Sequence, residues 1–327
     1  MIDAYAAYNR DEEIRAHSSS GGVFQALACE ILDEGGVVFG AAFDENFHVV
    51  YRGVQKKEEL SSLRGAKYVF PRIGTAYMEI QAYLKQGRKV LFVGLPCHAA
   101  GLLKFLGKPE KNLVCADLIC HGAPDETVWD SYLNHMQKQI GPVKQICMRS
   151  KQHGWSYYQV EYQGCTGKKY RRYAQDDPYM QGFIQDLYLR ASCYCCPFKG
   201  TERKSDMTLG DYWGGGEIHP DMDDDKGISL VLVHTEQGRE MFMKVQESLV
   251  WSRTDIRHGI KNNPSLIKRA EQSKNRETIL WELRQGKNFE EAVLPRIRMS
   301  FAEIVEKNCR RIWRMWKSQI KHMRKSI

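Results

Sequence analysis

Residues 89–122 read KVLFVGLPCHAAGLLKFLGKPEKNLVCADLICHG, and the fold turns on this stretch. KVLFVG (89–94) is a short apolar run of strand length, and it stops at Leu95-Pro96-Cys97. A helix over 98–106 is predicted next. NLVCADLIC (112–120) is a second buried-strand run, and it too closes on a cysteine, at Cys120-His121-Gly122. A helix from about Asp125 to Gln139 follows, stopped by Gly141-Pro142. Strands alternating with helices specify an α/β domain. Ligand sites in such sheets lie beyond the carboxyl ends of strands, which is where Cys97 and Cys120 stand.

Working outward, Ser18-Ser19-Ser20-Gly21-Gly22 opens an amphipathic segment, VFQALACEILDE, with a serine expected as its cap and Gly35-Gly36 as its end. GVVFGAAF reads as a buried strand, and FHVVYRGV, beyond the Asp44-Glu45-Asn46 turn, as its hairpin partner. Helices are expected over 57–62 and 74–86. Residues 1–145 thus form one predicted α/β domain. Beyond it, β runs at 143–149, 157–163 and 169–174 precede a helix-like stretch, 178–189, and the cysteine-rich SCYCCPF (192–198). GISLVLVHT (227–235) is a predicted strand followed by a helix to about 248, and 251–295 reads as polar and mostly helical. The expectation is a mixed-sheet core with a C-terminal α+β lobe over 146–295 and a tail over 296–327. No internal repeat is evident.

The chain has 327 residues, 27% charged and 43% hydrophobic, which is ordinary globular usage and excludes wholesale disorder, collagen and coiled coil. Its net charge of +8 is uneven: residues 301–327 hold eight Lys/Arg against two Glu. With so little excess charge on the body, a nucleic-acid partner is not expected. Phe301, Val305, Cys309, Ile312, Trp316, Ile320, Met323 and Ile327 fall on one helical face of that tail. A basic amphipathic helix with Trp313 and Trp316 suits peripheral contact with an anionic membrane surface; docking on protein is the alternative. No run reaches the roughly 20 apolar residues of a membrane span, and MIDAYAAYNRDEE is not a signal peptide. A cytoplasmic location is expected, peripheral at the inner membrane surface if the tail binds lipid.

Ten cysteines in such a chain point to metal or redox chemistry before disulfides. Cys193-Tyr194-Cys195-Cys196-Pro197 is the strongest local signal, because closely spaced thiolates can share one metal centre and proline commonly follows iron–sulfur ligands. A cubane needs four ligands; Cys97 and Cys120, each beside proline or glycine, are candidates for the other two. Buried free thiols and zinc remain alternatives, and by spacing Cys195 could replace either of its neighbours. Cys29, Cys115, Cys147 and Cys165 are expected to be core thiols. The Ser18–Gly22 stretch is a potential phosphate cradle at a helix start, and Arg64-Gly65-Ala66-Lys67-Tyr68 a second anion-friendly loop. Gly210-Asp211-Tyr212-Trp213-Gly214-Gly215-Gly216 could wall a planar group or simply pack a loop. No hydrolase or kinase motif is present.

Taken together, SSSGGVFQALACEILDEGGVVFGAAFD, LRGAKYVF, VLFVGLPCHAAGLLKFL, LVCADLICHGAPDETVWDSYL, RSKQHGW and ASCYCCPFKGTERKSDMTLGDYWGG make a chain that resembles the beta-subunit family of coenzyme F420 hydrogenases and dehydrogenases. Ferredoxin-dependent chlorophyllide reductases are relatives. The resemblance implies an FAD-dependent iron–sulfur oxidoreductase. It implies a 4Fe-4S cluster on Cys97, Cys120, Cys193 and Cys196, and an FAD site formed by Ser19, Ser20, Gly21, Gly22, Arg64, Gly65, Lys67 and Tyr68. His98, His121 and Asp117 would flank the ligands as proton relays, potential-tuning groups or structural hydrogen-bond partners. The ferredoxin segment that many members carry before this point is not in the sequence, so either a separate ferredoxin-like or deazaflavin carrier is the expected electron donor or the chain is a fragment. The implied acceptor is a small molecule or glycolipid, such as a surface-polysaccharide precursor. A non-catalytic electron-transfer subunit of a larger complex and a zinc-stabilised structural protein are the competing readings.

Overall fold

The computed structural model describes residues 2–297, so the predicted tail helix over 301–327, and all but the first two residues of the tail segment 296–327, lie outside the described residues. The described strands are β1 (Asp3–Asn9), β2 (Val37–Phe43), β3 (Val49–Val54), β4 (Val90–Gly94), β5 (Leu113–Leu118), β6 (Val143–Ser150), β7 (Gln159–Gly164), β8 (Lys169–Tyr173), β9 (Met207–Asp211), β10 (Ser229–Val233) and β11 (Leu249–Arg253). They form an eight-stranded sheet in the order β11-β1-β10-β9-β5-β4-β2-β3 and a three-stranded sheet, β6-β7-β8. The large sheet is mixed: β2, β4, β5 and β9 are parallel neighbours, while β3 and the β9-β10-β1-β11 side pair antiparallel. The fold is α/β, as expected from residues 89–122.

β4 shows why the run is apolar throughout rather than alternating. Leu91 and Val93 pack with Val23 and Leu27 of the Val23–Asp33 helix and with Phe242 of the Glu236–Val245 helix. Val90 and Phe92 pack on the other face, with Ile80 of the Ala76–Lys85 helix and with Ala99 and Leu102 of the Pro96–Leu106 helix. A parallel strand covered by helices on both sides must be apolar at every position. Phe92 is fully buried, and such burial contributes about 1.5–3 kcal/mol.

The three-stranded sheet packs with the Glu126–Ile140 helix around Tyr132, Tyr162, Tyr179 and Phe289, forming a second, aromatic core. It starts at Val143, close to the expected boundary at 145, but the chain afterwards returns to the large sheet as β9, β10 and β11. The large sheet therefore draws strands from both sides of that boundary. β1, β9 and β11 were not expected. The predicted helix over 178–189 is shorter, Pro178–Ile184; Asp186 adopts φ 57, which stops it, and Leu189 then bridges to Pro124. Cys115 is buried as expected, whereas Cys147 and Cys165 are exposed. Cys147 lies on the wetter face of β6, and Cys165 in the turn between β7 and β8.

Strand register brings the site segments together. Gly94 pairs with Asp117, Leu118 with Leu209, Asp211 with Ser229, and Ser229 with Ala7. The carboxyl ends of β1, β4, β5 and β9 thus meet at one edge. From there the chain enters the Ser18–Gly22 loop, the Cys97 turn, the Cys120 turn and the Trp213 loop. Among the described residues, no helix is long and apolar enough to cross a membrane.

Candidate cofactor site

A cavity of about 500 Å³ opens at this carboxyl edge. Seven of the eight residues expected at the FAD site line it: Ser19, Ser20, Gly22, Arg64, Gly65, Lys67 and Tyr68. Gly21 stands behind the wall. A Cβ there would lie 2.4 Å from the Ala7 carbonyl oxygen and 3.0 Å from the Ser229 nitrogen, so it permits close backbone approach instead of touching a ligand.

The Ser18–Gly22 loop is tied to the sheet. Ser18 Oγ donates to the Ile14 carbonyl at 2.7 Å, and Ser20 Oγ to the Ile228 carbonyl at 2.9 Å. Gly21 N–H donates to Ser229 Oγ at 3.0 Å, and Asn9 N–H to the Gly21 carbonyl at 2.7 Å. Lys151 Nζ donates to the carbonyls of Ser20 (2.9 Å), Lys226 (2.7 Å) and Arg15. Desolvation, with the nearby Arg149 and Arg15 charges, brings that ammonium down to about 7. The expected serine cap is absent: Gly22, at φ 82, caps the Val23–Asp33 helix, with no side-chain hydrogen bond to the first turn. Ser18 and Ser20 direct their hydroxyls to carbonyls elsewhere. The uncapped helix start lines the cavity through Val23 and Phe24, the arrangement that favours phosphate.

In the second loop Lys67 Nζ donates to the carbonyls of Leu63 (3.3 Å), Arg64 (2.9 Å) and Gly65 (3.2 Å). Lys67 therefore shapes its own loop. Desolvation lowers its ammonium to about 8. Buried Arg64 Nε has no hydrogen-bond partner.

Cys97 lies in the first turn of the Pro96–Leu106 helix and Cys120 just beyond β5; Cys193 lies in the Ala191–Tyr194 helix, with Cys196 two residues after its end. These four thiols act on one another. Burial, then the charges of Cys196 and Cys193, push the Cys97 thiol up to about 11. Burial carries Cys120 to about 12; Lys199 opposes, while Cys193, Cys97 and Cys196 add to the rise. Cys195 is exposed, its thiol facing the Ala191 and Ser192 carbonyls. Cys193 Sγ accepts the Ala123 N–H at 3.4 Å. Among the described residues, no three His, Cys, Asp or Glu side chains stand close enough to hold a metal ion. In kind, the donor set of four thiols fits an all-thiolate centre. Of the four cysteines, Cys120 also lines the cavity, beside the residues of the two loops.

The flanking groups are hydrogen-bonded. His98 Nδ1 lies 3.1 Å from Tyr51 Oη, and burial, with Arg190 nearby, lowers the imidazole to about 4. His121 Nε2 lies 2.6 Å from Asp186 Oδ1, and Asp117 accepts from Thr208 Oγ1 at 2.7 Å. Trp213 does line the cavity and stacks on Trp155 at 4.4 Å. Arg149 and Tyr158 also line it and were not among the expected site residues; both come from the three-stranded sheet side, and although Arg149 opens the stretch RSKQHGW, nothing in that stretch marks it as a cavity residue.

Residues 4–73 match the family model for the coenzyme F420 hydrogenase/dehydrogenase beta subunit N-term, and residues 87–258 the model for its C terminus. A solved structure of the F420-reducing [NiFe] hydrogenase complex from Methanosarcina barkeri, derivatised with xenon, is similar in fold. Its TM-score is 0.55 at 17% identity, covering 80% of this chain and 89% of that chain. No curated protein matches. The two family models together cover most of the described residues, and the chain belongs to the coenzyme F420 hydrogenase/dehydrogenase beta subunit family, an oxidoreductase family.

Proposed function

We propose that this chain is a flavin- and iron–sulfur-dependent oxidoreductase that holds FAD in the carboxyl-edge cavity and a 4Fe-4S cluster on Cys97, Cys120, Cys193 and Cys196. The observation that carries this reading is the shared wall: Cys120 lines the same cavity as Ser19, Ser20, Gly22, Arg64, Gly65, Lys67 and Tyr68. Its volume, about 500 Å³, falls within the roughly 300–1,000 Å³ usual for cofactor pockets. When bound, a cluster supplies one-electron transfer and a flavin links single electrons to two-electron chemistry.

The chain's own residues have definite tasks in this reading. The helix start at Gly22–Phe24 and the Ser18–Gly22 backbone bind phosphate; Lys151 and Ser229 hold that backbone in place. Arg64 offers the unpartnered N–H of its Nε. Tyr158 and Trp213 wall the cavity and exclude water. The Ala123 N–H directs a hydrogen bond to the Cys193 sulfur. The electron donor is a ferredoxin-like or deazaflavin carrier, and the acceptor a small organic molecule or glycolipid.

A second reading, an electron-transfer subunit without its own substrate, is favoured by the neighbour's being a multi-subunit complex. Titration of flavin-free protein with FAD tests the main reading. One FAD per chain, with affinity reduced at least tenfold in Arg64→Ala, is expected; the absence of saturable FAD binding contradicts it. Rapid reoxidation of the reduced flavin only by a partner protein, with no small-molecule acceptor turned over, would select the second reading.

A further inference from the structure

Arg149 is the last residue but one of β6, has its side chain 5% exposed, and lines the cavity. Only one edge of its guanidinium is occupied. Nη1 donates to Asp211 Oδ2 at 2.6 Å and reaches Tyr68 Oη at 3.5 Å. Nε and Nη2 are buried with no partner. The second oxygen of Asp211 takes the Trp155 Nε1–H at 3.3 Å, so it is not free to close the other edge. The plane is held between rings: its centre is 4.5 Å from the Tyr158 centroid and 5.3 Å from that of Trp213. Leaving two guanidinium N–H groups desolvated and unpaired costs several kcal/mol, and an unpaired Nε/Nη2 edge matches a carboxylate or phosphate bidentately. Charge agrees: Arg64, Lys67 and Arg149 line this cavity against a single carboxylate, Asp211.

We infer that the Nε/Nη2 edge of Arg149 is an oxyanion-binding site, taking a phosphate or carboxylate group of the ligand seated between Tyr158 and Trp213. The inference places an anionic group at a defined wall of the proposed flavin cavity, and it rests on that cavity's use but not on the identity of its cofactor. The anion belongs either to a dinucleotide cofactor or to a second, acidic ligand; the two are separable.

Equilibrium dialysis with radiolabelled inorganic phosphate tests it, on flavin-free and FAD-loaded protein. Removing Arg149 alone would leave Asp211 without its ion-pair partner, so the key variant is the double change Arg149→Gln/Asp211→Asn, checked for native melting. Wild-type, flavin-free protein is expected to bind phosphate at a saturable site that depends on Arg149, apart from any binding at the Ser18–Gly22 helix start, and the double variant to bind at that site at least tenfold more weakly; Arg149→Lys, which keeps the charge but loses the fork, falls between. Phosphate binding that survives FAD loading assigns the site to a second acidic ligand; binding that FAD displaces assigns it to the cofactor's phosphates. Absence of saturable phosphate binding to the wild type, or equal affinity in the folded double variant, overturns the inference. Protein that takes up no FAD yet binds phosphate through Arg149 keeps this site and discards the flavin reading.

Discussion

The Ser18–Gly22 loop at the cavity and the Ala191–Cys196 turn are built in opposite ways. The Ser18–Gly22 loop is anchored by hydrogen bonds from β1, β10 and Lys151, and its glycine at 21 fits against strand backbone with no room for a methyl group. The Ala191–Cys196 turn is held from its flanks. Leu189 N–H donates to Tyr194 Oη at 3.0 Å, Arg276 Nε to the Leu189 carbonyl at 2.7 Å, and Arg269 Nε to the exposed Cys196 carbonyl at 2.9 Å. None of its residues is fully buried. The difference teaches which end the protein pre-forms: the Ser18–Gly22 loop is shaped by the fold, whereas under the proposed reading the cysteine end would take its final shape from the group its thiols bind. Metal binding of that kind couples to local folding.

The largest effect is therefore expected at the cysteines. Cys193→Ser should reduce iron from about four atoms per chain to below one, measured on anaerobically purified protein. It should also raise protease sensitivity near 191–197 while leaving the Ser18–Gly22 loop protected. Equal loss of protection at both loops would break the comparison. Gly21→Ala comes next, since its methyl group must displace strand backbone; a loss of about 1–3 kcal/mol is expected, read by denaturant melts, with a flavin affinity at least tenfold weaker and iron unchanged. Lys151→Met leaves three carbonyls without their shared donor. It should weaken FAD binding several-fold with a smaller loss of stability, and unchanged FAD affinity would show that the loop needs no such tie.

The smallest effect is a pH dependence away from both loops. Desolvation, and then the Arg203 charge, hold His234 down to about 4, and its Nε2 lies 2.8 Å from Thr208 Oγ1, which donates to Asp117. The native state therefore keeps this imidazole neutral, whereas the unfolded chain protonates it near 6.5. Stability should be full above about pH 6.5 and fall as the pH drops toward 4, because the unfolded state then binds the extra proton. His234→Asn should flatten that limb in urea melts taken across the range.

Much of this was legible because two-sided burial writes itself as continuous apolar runs, as at 90–94 and 113–118. β1 was not: DAYAAYN is alanine-rich, so it shows neither alternation nor β-branched residues, though Ala4, Ala6 and Ala7 are buried between β10 and β11. β9 hid in MTLGD because its two end residues merge with a glycine-rich loop, and β11 is an edge strand with alternating exposure. At the site, residues in glycine or cysteine motifs were visible in the sequence. Arg149 stands in the quoted stretch RSKQHGW, but its role was not legible, because it depends on Asp211 closing only one edge of its guanidinium, a contact across 62 residues.

The central claim is that one cavity wall joins a four-thiolate centre to a flavin site. Anaerobic purification followed by iron, acid-labile sulfide and flavin analysis, with the visible spectrum, tests it most directly. The account predicts about four irons and one FAD per chain, with iron lost in Cys193→Ser and FAD lost in Gly21→Ala. Zinc in place of iron, with no flavin bound, would contradict it and leave a structural metal protein.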